Sequence, residues 1–109
     1  MHIAHVEWNP PGPDWDGEYV LIENRGADSQ DMTGWTLGDT NNHTYFFPDG
    51  FILADGAEVR VWTRSGVDTN DDLFWGRSSA VWGNEGDAAY LRDDMGTLID
   101  FLSWSGGLQ

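Results

Sequence analysis

The feature that most constrains this chain is the brevity of its apolar runs. Apolar and polar residues alternate over a few positions, and each run is cut off by Gly, Pro, Asn or Asp. Glu18 to Asn24, EYVLIEN, sets Val20 and Ile22 on one side and Tyr19, Leu21 and Glu23 on the other, the period of a half-buried strand. Similar strand patterns run from Ile3 to Trp8, Met32 to Leu37, His43 to Phe47, Phe51 to Leu53 and Val59 to Trp62. A last hairpin joins Asp87–Arg92 to Leu98–Trp104 through Asp93-Asp94-Met95-Gly96. Between the first two strands lies PPGPDWDG, Pro10 to Gly17, whose prolines and glycines exclude a regular element. No window sustains a helical period. The pattern predicts an all-β sandwich or barrel of eight or nine short strands.

A chain of 109 residues fits one domain, expected over residues 1–105 with a frayed tail at 106–109. With no cysteine, both a disulfide framework and a thiolate metal site are excluded. Nineteen acidic residues face five arginines and no lysine, for a net charge of −14. The acids are scattered from Glu7 to Asp100 rather than gathered in a tail. That balance suits an acidic face for a cationic partner, or a surface adapted to molar salt, where the Debye length falls to about 3 Å and self-repulsion is quenched. We favour the salt-adapted reading. Either way, nucleic acid and anionic membranes are disfavoured, because phosphate binding draws on clustered Lys and Arg. No apolar run approaches the ~20 residues of a membrane span. The N-terminal MHIAHVEWNPP lacks a charged n-region and a long apolar h-region, so it does not read as a signal peptide. It enters a strand pattern almost at once, as expected of a domain taken from a longer protein.

Few residues suggest chemistry. His2 and His5 are spaced H-x-x-H, but three residues apart on a regular strand they face opposite ways and would not chelate one ion. His43 stands alone at a turn. Ser65 and Ser105 lie beside glycine without a G-x-S-x-G frame. The phosphate-cradling G-x-x-x-x-G-K-[ST] is absent. Asp68-Thr69-Asn70-Asp71-Asp72 is rich in oxygen ligands, and Asp68, Asp71 and Asp72 form a weak calcium candidate. The segment lacks the glycine and terminal glutamate of an EF-hand loop, and LFWG follows it rather than a helix. Arg60 and Arg64 are expected to pair with neighbouring acids. No cofactor is expected. The seven tryptophans cannot all be core in so small a domain. Trp15, between two aspartates in the proline-rich loop, and Trp75 are therefore candidates for a contact surface.

Several motifs then fall into one order: GEYVLIEN at 17–24, MTGWTLGD at 32–39, YFFPDGFILADGAEVRVWT at 45–63, DLFWG at 72–76 and VWGNEGDAAYLRD at 81–93. Gly34-Trp35, Phe47-Pro48, Asp55-Gly56-Ala57 and Trp82-Gly83-Asn84 are specific in combination. Together they resemble the lamin tail domain, in a prokaryotic, haloarchaeal-like version. The resemblance implies an immunoglobulin-like sandwich. Two sheets about 10 Å apart need inward pairs on each strand. Val20/Ile22, Trp35/Leu37, Val59/Val61, Ala89/Leu91 and Ile99/Phe101 are expected to supply them. Trp82 is expected to plug the sandwich where the chain crosses between sheets, with Gly83, Asn84 and Gly86 allowing the turn. For function, the resemblance implies a non-catalytic interaction or targeting module, an accessory domain of a secreted or membrane-associated hydrolase or nuclease. It would bind a protein partner or its parent enzyme, be monomeric, and lie at the cell surface if part of a longer protein. Two alternatives stay open: a carbohydrate- or cell-surface-binding module, and a nucleic-acid adaptor of a DNA-processing protein. The chain lacks a coiled-coil rod and a basic surface, which sets it apart from lamins themselves.

Overall fold

Alternation becomes burial wherever a strand has one wet face. Val20, Ile22, Val59 and Val61 are all essentially inaccessible, while Tyr19, Leu21, Arg60 and Trp62 between them are only half-buried. Each such aliphatic side chain contributes about 1.5–3 kcal/mol on burial. The computed structural model describes residues 1–8, 17–77, 79, 81–82 and 86–105. Within them run ten strands: β1 (His2–Glu7), β2 (Tyr19–Glu23), β3 (Gln30–Asp31), β4 (Thr36–Gly38), β5 (Thr44–Phe46), β6 (Ile52–Leu53), β7 (Glu58–Trp62), β8 (Asp72–Phe74), β9 (Gly86–Arg92) and β10 (Leu98–Ser105). One sheet has the order β1-β2-β7-β8 and the other β10-β9-β4-β5, with β3-β6 as a small ribbon beside them. Pairing is antiparallel except between β7 and β8. The inner faces of the two sheets share one core, in an all-β, immunoglobulin-like sandwich.

The strand count exceeds eight or nine because the apolar pattern misses β3 at Gln30–Asp31 and β8 at Asp72–Phe74, while Met32–Leu37 holds only the start of β4. β3 pairs with β6, and β4 pairs with β5 and β9. The chain breaks at Gly34, which holds φ +81 and lies so close to the β9–β10 turn that a Cβ there would meet the Cβ of Asp94 at 3.0 Å. A left-handed backbone and a close approach coincide there, and only glycine satisfies both.

Two expectations about side-chain direction are corrected. Ile99 and Phe101 do not face the core: Phe101 is 54% exposed and Ile99 36%. The ladder shows why. Leu91 and Ala89, both inward, stand opposite Asp100 and Leu102, so β10 turns Asp100, Leu102 and Trp104 inward. A register shift between Leu98 and Asp100 sets that phase. A second shift, between Ile3 and His5, breaks alternation in β1. It lets Ile3 and Val6 both reach the core although they are three residues apart. It also puts His2 and His5, opposite Glu23 and Leu21, on the same face rather than on opposite ones.

Candidate functional site

Buried polar groups meet the core where the chain crosses between sheets. Trp82 is 2% exposed and belongs to the core, as the corner reading requires. Its position is held by Glu18, a fully buried carboxylate just before β2. Oε1 of Glu18 accepts from Thr63 Oγ1 at 2.9 Å, Val81 N at 3.0 Å and Trp82 N at 3.5 Å. One side chain thus ties β2, the end of β7 and the incoming corner together. Gly86 has φ 129, in keeping with the turn, while Gly83 and Asn84 lie outside the described residues. In a chain with so many acids, Glu18 carried no signal in the sequence.

Aromatic rings extend from this corner. Trp8 stacks on Trp104, Trp104 meets Trp82, Trp82 meets Trp75, and Trp75 meets Tyr45, with centroids 5.7–6.2 Å apart. Burial, followed by the charge of Asp68, raises the Tyr45 phenol well above its ordinary pKa. Trp75 is therefore half-buried between two rings, with the Arg77 guanidinium 5.9 Å above it. Trp15 lies outside the described residues.

The titratable residues singled out by sequence are each engaged locally. His2 meets Asp100 at 3.2 Å, His5 meets Glu7 at 3.0 Å, and His43 meets the buried Asp39 carboxylate at 2.6 Å. Asp68 accepts from Phe74 N, and Asp72 accepts from Trp62 Nε1, both at 2.9 Å. Thr69 Oγ1 accepts from the amides of Asp71 and Asp72. The loop is thus folded onto β8 by its own acceptors. Among the described residues, no group of three His, Cys, Asp or Glu is placed to hold a metal ion. Arg60 and Arg64 do not take the expected acidic partners. Arg60 lies 5.5 Å from the Tyr19 centroid, and Arg64 lies 4.8 Å from that of Trp62 and 5.2 Å from that of Phe74. A guanidinium gains from a ring face while keeping its outer edge in water, so a nearby carboxylate is not needed.

What remains is surface. The outer face of β1-β2-β7-β8 carries a cross-strand row, Tyr19–Trp62–Phe74, covered by those arginines. The outer face of β10-β9-β4-β5 is different. Phe101 stacks on Tyr90 at 6.1 Å, with Arg92 5.9 Å over the Tyr90 ring, yet Phe101 stays half in water. Leu98, Ile99 and, at the far edge, Phe46 are exposed as well, and Met95 projects from the adjoining turn. A shallow cleft of about 220 Å³ opens on this face, where Gly38 leaves a gap among Thr36, Thr44, Asn42, Tyr90 and Arg92. Of the seven large hydrophobic residues exposed among those described, five are on this face or its turn. Apolar area with Phe, Tyr, Met and Arg around a small concavity matches the composition of contact surfaces. Residues 2–106 of the chain match the family model of the Lamin Tail Domain.

Proposed function

Because the chain belongs to the lamin tail domain family, whose members are non-enzymatic immunoglobulin-like domains, we propose that it is an interaction and targeting module that docks through the outer face of β10-β9-β4-β5. One observation carries this reading: exposed apolar side chains are concentrated on that face, while the aromatic row of the opposite face is covered. In our reading the module serves a larger protein, a secreted or membrane-associated hydrolase or nuclease, by holding it near its target, and it works in a salt-rich setting. A protein partner is favoured over nucleic acid. Lysine is absent, and four of the five arginines lie over rings rather than in one basic cluster.

The test is capture from extract of the source cells at low and at molar salt, with the unaltered domain and with Phe101→Ser. The expected result is a discrete set of proteins retained by the first and lost by the second. Equal retention by both would remove the face from consideration.

A further inference from the structure

We propose that the partner binds as an added strand: an extended segment of another protein, bearing lysine or arginine among apolar residues, pairs with the open edge of β5. This rests on the reading of the sheet as a docking element, and adds both the mode of binding and the chemistry of the ligand.

The phase of the β4–β5 ladder carries the first half of the argument. Phe47 N donates to Trp35 O at 3.0 Å, and Asp39 N donates to His43 O at 3.2 Å. In an antiparallel pair, bonded and non-bonded positions alternate. Trp35–Phe47, Leu37–Tyr45 and Asp39–His43 are therefore the bonded positions, and Thr36–Phe46 and Gly38–Thr44 the non-bonded ones. It follows that the backbone N–H and C=O of Thr44 and Phe46 point away from β4. β5 is the last strand of its sheet, and no described strand pairs with that side. An outward row of donors and acceptors is a template for another strand. β5 is protected by its shortness, three residues, but not by chemistry. No charged residue lies on it, the proline nearby follows the strand, and Phe46, 69% exposed, offers an apolar side chain beside the open groups.

Charge decides among occupants. The chain carries −14, and the turn that closes β5 exposes Asp49. The β9–β10 turn, with Asp93 and Asp94, lies at the same end of the sandwich, because Gly50 N bonds Thr33 Oγ1 and Gly34 packs on Asp94. A second copy would set its own Asp49, Asp93 and Asp94 against these acids at contact distance, where salt screens least, and an acidic segment would do the same. A segment with cationic side chains is drawn to them, and its apolar residues can cover Phe46.

Nuclear magnetic resonance titration of the domain with a short peptide alternating lysine and valine tests this. Three comparison ligands are used: the glutamate–valine analogue, the lysine peptide with alternate backbone nitrogens methylated along one edge, and neutral oligosaccharides. Binding of the lysine peptide should slow exchange of the Thr44 and Phe46 amides. Affinity should fall about tenfold or more with Phe46→Ser and with backbone methylation, a loss of the size seen when one anchor is removed. Several results would overturn the proposal. They are no binding, unchanged exchange at Thr44 and Phe46, equal binding of the glutamate or the methylated peptide, or an oligosaccharide taking the face. Self-association of the domain abolished by Phe46→Ser would overturn it too, making a second copy the occupant. If those results came while Phe101→Ser still lost its captured proteins, the docking face would stand and strand addition alone would fail.

Discussion

The two outer faces of the sandwich hold similar residues and present them differently. On β2-β7-β8, Tyr19, Trp62 and Phe74 lie side by side, with Tyr19 and Trp62 4.9 Å apart. Arg60 and Arg64 cover the rings, Trp62 Nε1 is spent on Asp72, and all three aromatics are half-buried. On β10-β9-β4-β5 only the Tyr90–Phe101 pair is stacked, and the apolar side chains around it meet water. Counting aromatic residues does not find a contact surface. Rings have partners on both faces, Arg92 and Phe101 flanking Tyr90 as Arg60 and Arg64 flank the other row; what distinguishes the faces is how much apolar surface stays in water around them.

The comparison can be broken first at what lies between the faces. Glu18→Ala removes the acceptor shared by Thr63, Val81 and Trp82 and leaves buried donors unmatched. Each orphaned group costs about 1–3 kcal/mol, so a loss of at least ~3 kcal/mol is expected in denaturant unfolding. A loss below about 1 kcal/mol would show that the corner holds without it. A smaller effect separates the faces themselves. A Cβ on Gly66 would sit 2.5 Å from the Phe74 ring, so Gly66→Ala must push that ring out from under Arg64. About 1–3 kcal/mol should be lost, as for other overpacked sites. Phe101→Ser, on the open face, should cost no more than about 1 kcal/mol, the size of its cross-strand pair with Tyr90. Equal losses from the two variants would mean that the faces are equally packed.

A pH-dependent effect contrasts the two sides of one strand, inward Tyr45 and outward Phe46. The folded phenol has a pKa raised above its unfolded value of 10.0. The unfolded chain therefore releases this proton first, and folding stability falls as the pH rises above about 10, by at most ~1.4 kcal/mol per unit. Tyr45→Phe should flatten that part of the alkaline unfolding curve, and Phe46→Ser should leave its slope alone. An unchanged slope in Tyr45→Phe would assign the alkaline loss to other groups.

Much of this architecture is legible in the chain because the central strands obey one rule. Val20/Ile22 and Val59/Val61 have a core on one side and water on the other, and period two reports that directly. The rule fails at the margins. In β1 a bulge adds a residue, and in β10 the phase is dictated by Leu91 and Ala89 across the ladder, which no local pattern records. Ile99 and Phe101 therefore look like core and are surface. The candidate face is hidden in part for the same reason, since Ile99 and Phe101, which lie on it, read as inward. Glu18 was hidden for the opposite reason, since an acid among nineteen looks like solvent-facing charge. For Arg60 and Arg64, sequence proximity points to carboxylates, whereas the ladder brings rings beneath them.

The placement of β1 beside β10 sets how the domain bears load. Ile3 N bonds Asp100 Oδ2 at 2.7 Å, His2 approaches the same oxygen, and at the other end Trp8 stacks on Trp104. The two strands thus run in the same direction, and the start of β1 and the end of β10 sit at opposite ends of the sandwich. A pull applied at His2 and Ser105 acts along the strands. The β1–β2 and β9–β10 ladders are then loaded in shear, with their hydrogen bonds strained together rather than opened one by one. A module that holds a heavier body to an anchor gains mechanical resistance from that arrangement alone, without an added cross-link.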